Sequence, residues 1–455
     1  AINRHPIADT GEDRHGSALK GLPADLDIDH VLSAFVDFYS CLRFMDWGTT
    51  NEYTGTSWNA RRQPNDASNF DLASNPIAAK DAPGLAYEWM IDLCNRAQAD
   101  MWVCVPTRAD DNFVTQLATL IKNNLNSGLK VYVEYSNEVW NFAPAQNYCA
   151  AQGASLGFPQ TATWERALVY QAYRSAQVWK KFEDVFGNQK NRVINVLAGK
   201  STSPSITNQQ HLSQLYNLSF NPTDVLPEAY AIAPYFGGNG LNGATSNIFA
   251  KLREDIFVQR PAGASGAGQA SRLKNVQDQH AIVVGQYNLN LIAYEGGQHL
   301  AVNAINPNRN AEMYNVYTEY FDAMAPYFSL FCHYTHAGTF SNGGCWGAKE
   351  FTGQAISQAH KYRAMKDWMD NNSSRKSQVT VELAAPFYPN PTTGALNIEL
   401  SHAQSVDIEV YNLSGQKIMD RQMEGRLLKL DLSHLSNGMY ILSVNGQHSR
   451  IMKQN

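Results

Sequence analysis

The chain has 455 residues, a formal net charge of −5, 44% hydrophobic residues and 17% charged residues. That length suits one large domain plus a small one, with enough apolar side chains for a sizeable core. The low charge density excludes a disordered chain, and the slightly acidic balance gives no electrostatic reason for a nucleic-acid partner.

Residues 1–30 are polar and broken by Gly and Pro, and no strand is read there. From residue 40 to residue 370, strand-like runs at 41–47, 100–105, 130–135, 192–198, 229–234, 288–294 and 329–334 alternate with helical spacing. The helical patterns cover 85–97, 111–125, 163–186, 313–325 and 354–369. Strand then helix, repeated, predicts a parallel sheet covered by helices. Seven strands fall one short of a (β/α)8 TIM barrel, so an eighth is expected before Cys41. The first domain is read as residues 1–372, followed by a polar linker at 373–377. Over 378–455 the helical spacing stops, and seven short alternating strands separated by turn signals predict an immunoglobulin-like β-sandwich.

Six cysteines occur and none forms a CxxC pair, which argues against zinc. Cys41, Cys94 and Cys104 read as small buried hydrophobes. Cys332 and Cys345 flank a Gly/Ser/Asn-rich loop, and an oxidising compartment could bridge them. No run approaches the roughly 18 apolar residues of a membrane span. No leader stands at residue 1, which can follow a removed one.

Two runs carry the chemistry. Residues 130–135 lead as a strand into Ser136-Asn137-Glu138, and residues 291–294 lead into Glu295-Gly296-Gly297. Each delivers one carboxyl from a strand end into a loop, where barrel enzymes hold their reacting groups. Paired glutamates far apart in sequence suit glycoside hydrolysis, with Glu138 as acid/base and Glu295 as nucleophile. Alternation turns Tyr132, Glu134, Ser136 and Glu138 towards the barrel axis. Asn137 is a candidate partner for the sugar 2-hydroxyl, and Trp140 and Trp346 for stacking. Tyr235 can hydrogen-bond Glu295. Arg43 and Asp46 end an early strand, and Arg43 can pair with the inward Glu134. His333 and His336 are read as substrate hydrogen-bonders rather than metal ligands. Trp47, Trp58, Arg61, Arg62, Asp110 and Asp111 sit at other loop positions, where the two arginines could meet anionic sugars. A phosphate-loop pattern is absent, and no cofactor is expected.

An Asn-Glu after the fourth strand and a Glu after the seventh resemble clan A glycoside hydrolases. That resemblance implies a retaining (β/α)8 enzyme with Glu138 as acid/base, Glu295 as nucleophile and Tyr235 as the strand-six tyrosine. The Val139-Trp140 after Glu138 departs from the Pro that many members carry. The tail resembles a second family through Tyr388-Pro389-Asn390-Pro391-Thr392-Thr393-Gly394, Val410-Tyr411-Asn412-Leu413-Ser414-Gly415, Gly438-Met439-Tyr440-Ile441-Leu442 and Lys453. It is similar to the type A sorting domain of the type IX secretion system of Bacteroidota. This implies export to the medium or the outer-membrane surface, with the secretion machinery as partner. The expectation is a secreted retaining glycosidase acting on a polysaccharide or its oligomers. A non-catalytic polysaccharide-binding protein on a barrel scaffold is the alternative.

Overall fold

A computed structural model describes residues 39–51, 55–64, 84–238, 240–376, 383–412, 417–444 and 447–454. Seven parallel strands pair in chain order: β1 (Cys41–Arg43), β2 (Asp100–Val105), β3 (Val131–Tyr135), β4 (Val193–Ala198), β5 (Ala229–Ile232), β6 (Asn290–Ala293) and β7 (Leu330–Phe331). The strand expected before Cys41 lies outside the described residues. Side chains already join the two ends of the sheet. Tyr334 beyond β7 donates to Asp46 at 2.8 Å, and the Tyr39 hydroxyl meets His336 Nδ1 at 2.9 Å. The sheet therefore curls into an α/β barrel.

Alternation divides each strand between two apolar environments. Cys41, Trp102, Cys104, Val196, Ala198, Ala229, Ala231 and Ile292 pack together along the axis. The residues of opposite parity, Val103, Val133, Leu197, Tyr230 and Leu291, are equally buried and face the helices. Burial on both faces explains why these strands read as continuous apolar runs.

The helices start and dock for local reasons. Asp110 caps Asp111–Asn124 by accepting from the Phe113 N–H at 2.7 Å. The long helix Thr163–Phe186 buries Trp179, whose indole donates to the Val133 carbonyl of β3 at 3.0 Å. Helices Ala143–Ser155, Ile248–Phe257 and Arg272–Val283 escape the sequence reading. The first is an Ala/Gln/Asn-rich stretch without an apolar stripe. The strand expected over 41–47 stops at Arg43, because Gly48 N–H turns back onto the Phe44 carbonyl and Thr50 N–H onto that of Met45. The residues read as a linker continue the helix His360–Lys376, which contains no Pro or Gly to stop it.

The tail is a separate antiparallel unit. Its strands are β8 (Leu383–Tyr388), β9 (Ala395–Tyr411), β10 (Lys417–Asp431), β11 (Gly438–Val444) and β12 (Gln447–Lys453). Seven short strands become five because two pairs fuse into the long hairpin β9–β10. The start of β9 pairs with β8 and its end with β11, so the five strands join in one antiparallel sheet. The register shifts between Gly425 and Leu427, an irregularity within the long hairpin. Leu396, Ile398, Leu400, Val406, Ile408 and Val410 of β9 all face the same core, with Leu428, Leu430, Leu442 and Ile451 opposite.

Candidate active site

Glu138 stands three residues beyond β3. Ser136 N–H still bonds the Val105 carbonyl at 2.8 Å, and the chain then leaves the sheet. Ser136 (φ 64°) and Glu138 (φ 38°) both adopt the left-handed region without being glycine. Such conformations cost on the order of 1–3 kcal/mol each and concentrate at functional sites. The turn is held by the Asn141 N–H on the Glu138 carbonyl at 2.7 Å. The Glu138 side chain is half-buried. Its Oε1 accepts from the Tyr294 hydroxyl at 2.5 Å and its Oε2 from the Asn141 amide at 2.9 Å.

Glu295 follows β6 by two residues. Strict alternation would turn it away from the axis, since Ile292 and Tyr294 already face inward. The backbone leaves the strand after Ala293, and Gly297 (φ 122°) turns it further. A Cβ on Gly296 would lie 2.3 Å from Phe331, so only glycine lets the loop pack down there. Glu295 is 8% exposed. Arg43 Nη1 meets its Oε1 at 2.9 Å, and the Tyr235 hydroxyl donates to its Oε2 at 2.9 Å.

Arg43 also fixes the floor. Its Nε and Nη2 donate to both oxygens of Glu134 at 3.0 and 3.1 Å, and Nη2 donates to Asn137 Oδ1 at 2.7 Å. Glu134 is 1% exposed and accepts further from the Trp102 indole at 2.9 Å and the Cys104 thiol at 3.4 Å. A carboxylate so deeply buried needs this many donors. With its oxygen occupied by Arg43, Asn137 presents only its amide N–H groups, one of which donates to Asn51 at 3.1 Å.

Burial pushes the Glu295 carboxyl up to about 8, and the charges of Glu138 and Asp46 push the same way. The Arg43 guanidinium and the Tyr235 hydroxyl hold it down. The two carboxyls share neighbours: the Tyr294 hydroxyl reaches Glu138, and the Arg43 guanidinium lies 4.9 Å over the Tyr294 ring while it holds Glu295. Burial also raises the Tyr235 and Tyr294 hydroxyls well above their ordinary value, so both stay protonated donors.

The other sequence candidates divide. Asp46 accepts from Tyr334 near the cavity, and Trp140 packs 6.4 Å from the Tyr294 ring. Trp346 donates its indole N–H to His299 Nδ1 at 3.0 Å. His333 and His336 are occupied elsewhere, His333 Nε2 with the Tyr317 hydroxyl at 3.1 Å and His336 with Tyr39. Burial drives both imidazoles down to about 3, so they are neutral packing groups. Arg61 is committed to Glu88 at 2.7 Å and stacks over Trp58, while Asp111 pairs with Arg174 at 2.8 Å. Cys332 does not face Cys345. It packs against the barrel core that contains Cys41, and the Cys345 thiol donates to the Ser341 carbonyl.

Four groups escaped the sequence reading: Tyr294, Asn141, Asn51 and His299. The inward parity that Tyr294 shares with Ile292 was a usable signal. The other three lie on loops, where no periodicity reports direction.

Comparison with known proteins divides the chain likewise. Residues 386–454 match the secretion system C-terminal sorting domain family. The tail is thus a type IX sorting domain, which marks the chain for export to the medium or the cell surface. Among the described residues no helix is long and apolar enough to cross a membrane. No curated protein matches the sequence. Similar solved structures include Bacteroides uniformis β-glucuronidase 2, at 11% identity and TM-score 0.37 over 82% of this chain and 41% of that one. The Thermotoga maritima β-glucosidase is similar at 11% identity and TM-score 0.39, over 63% of this chain and 77% of that one. A Bacteroidetes-affiliated family 5 cellulase linked with a polysaccharide utilization locus is similar at 11% identity and TM-score 0.37, over 74% and 90%. The chain spans about two-fifths of the length of the β-glucuronidases it resembles.

Proposed function

We propose that the exported chain is a retaining glycoside hydrolase acting on a polysaccharide or its oligomers. The observation that supports this reading is the set of contacts linking the two glutamates: Tyr294 on Glu138, Arg43 over Tyr294, and Arg43 and Tyr235 both on Glu295. Arg43 and Tyr235 stabilise negative charge on Glu295, as a nucleophile requires. Glu138 is more accessible and is held at both oxygens by neutral donors, which suits a group that gives up a proton and takes it back.

In the first step Glu138 protonates the glycosidic oxygen while Glu295 attacks the anomeric carbon. The bond to the leaving sugar breaks and a glycosyl ester forms on Glu295. In the second step Glu138 takes a proton from water, which attacks the same carbon and frees Glu295. Net retention follows from two inversions, and it requires carboxyls about 5–5.5 Å apart. An Asn137 amide N–H serves the 2-hydroxyl.

The test is hydrolysis of a polysaccharide and aryl-glycoside panel followed by proton NMR of the first anomer formed. Wild type should release sugar with retained configuration, and Glu295→Ala should be inactive. Glu138→Ala should keep activity on aryl glycosides with good leaving groups and regain turnover with added azide. Binding of glycans without turnover across the panel would instead identify a polysaccharide-binding protein.

A further inference from the structure

His299 lies on the loop that carries Glu295, and its ring is the one imidazole among the described residues packed on Tyr235 (5.2 Å between centroids). Its backbone is fixed by the N–H bonding the Phe236 carbonyl at 2.7 Å. On its other side Trp346 donates to Nδ1 at 3.0 Å. An indole N–H can only donate, so Nδ1 must be the unprotonated nitrogen. Burial, with help from Arg272, lowers the imidazole below its ordinary value, so the ring is neutral. A neutral ring accepting at Nδ1 carries its one proton on Nε2.

That Nε2–H donates to no group among the described residues, and it is not among their fully enclosed polar atoms. The nitrogen therefore stays accessible, on a ring packed against the tyrosine that holds Glu295. The ring is also close enough to Glu138 to feel its charge. Tyr235, His299 and Trp346 thus form a continuous wall that starts at the Glu295 carboxylate and ends on a half-buried indole face.

We infer that His299 is a specificity-determining residue whose Nε2–H donates to a hydroxyl of the sugar bound against Glu295, with Trp346 setting its tautomer. This deepens the glycosidase reading and rests on it. The ligand is a hydroxyl-bearing pyranose rather than a cation, because the group offered is a neutral donor. Protonation at low pH would place two donors face to face, His299 Nδ1–H and the Trp346 indole, and so would loosen the wall.

Two substitutions separate the two nitrogens. His299→Asn keeps an acceptor at the Nδ1 position for Trp346 but has nothing at Nε2, whereas His299→Gln reaches the Nε2 position with an amide N–H. On whichever 4-nitrophenyl glycoside the wild type cleaves fastest, His299→Asn should lose about tenfold in kcat/KM, the worth of one hydrogen bond. His299→Gln should retain most of it, and both should melt with wild type. The analogue lacking the bonded hydroxyl should be cleaved equally by wild type and His299→Asn. Wild-type kcat/KM in His299→Asn would overturn the inference. Imidazole nitrogen-15 NMR of the free full-length chain gives a second readout, independent of turnover. It should report an Nε2–H neutral ring at pH 7, and an Nδ1–H tautomer or an imidazolium would overturn the inference even in an active enzyme. No turnover on any glycoside, with the expected tautomer, would overturn the glycosidase reading and the donor role together.

Discussion

Arg43 on β1 and Glu295 beyond β6 are 252 positions apart in the chain and meet at 2.9 Å. The same guanidinium grips Glu134, so one cation serves that buried carboxylate and the proposed nucleophile together. Arg43 (side chain 5% exposed) and Glu134 (1%) are both removed from water. Taking away the cation leaves two buried carboxyls uncompensated. Arg43→Met should therefore lower stability to urea by about 3–5 kcal/mol and abolish turnover. Adding Glu134→Gln should restore part of the stability and none of the activity. Equal recovery of both would mean that Arg43 acts only on the fold.

The same pair fixes the expected pH dependence. Catalysis needs Glu295 ionised, as the nucleophile. Burial pushes its carboxyl up to about 8. The acid limb of kcat/KM should therefore lie near pH 8. Tyr235 donates to Glu295 and lowers its affinity for the proton. Tyr235→Phe should move the limb to higher pH as well as reduce the rate. A limb moving to lower pH would reverse the assigned role.

How far the sequence prepares for this site differs between strands and loops. Alternation in β3 places Glu134 inward, and a buried Arg is the partner such a carboxyl demands, so the Arg43–Glu134 pair is foreseeable. The two strand-end glutamates are foreseeable because Gly296-Gly297 and Ser136-Asn137 mark where the strands stop. The alternation signal ends at those same positions. His333 and His336 look like site residues from their place after the last strand, yet their rings turn to Tyr317 and Tyr39 because burial favours hydroxyl partners. In the tail the apolar parity of 396–410 is plain, but nothing in it distinguishes two strands from one long one.

The sorting tail predicts where the protein goes. Deleting residues 386–454 removes the matched family segment in full. That unit has its own apolar core, so the barrel's core residues are untouched. The truncated protein should accumulate inside the cell with unchanged glycosidase activity in lysates, while the full chain reaches the surface or medium. Immunoblots of fractionated cells check this, and export of the truncated form would refute it.

Lys361 offers a test of how the Trp346 loop is held. Its ammonium is 1% exposed, donates to the Cys345 carbonyl and lies 4.6 Å from the Phe340 ring centroid. Gln298 donates to the same carbonyl oxygen, which ties the Glu295 loop to the Trp346 loop. Burial lowers Lys361 from 10.5 to about 7. Between those two values the unfolded chain binds a proton that the folded chain does not, so stability rises with pH across that window and is lowest below 7. Lys361→Met should flatten this slope and raise stability at pH 7 by about 1–4 kcal/mol, since a buried charge gives way to an apolar group of similar length. The loop would then lose one of its two carbonyl anchors, and KM should rise while kcat changes little, because Trp346 bonds His299 rather than either glutamate. Urea melts from pH 6 to pH 10 check the sign. A slope unchanged in Lys361→Met would show that some other group titrates there.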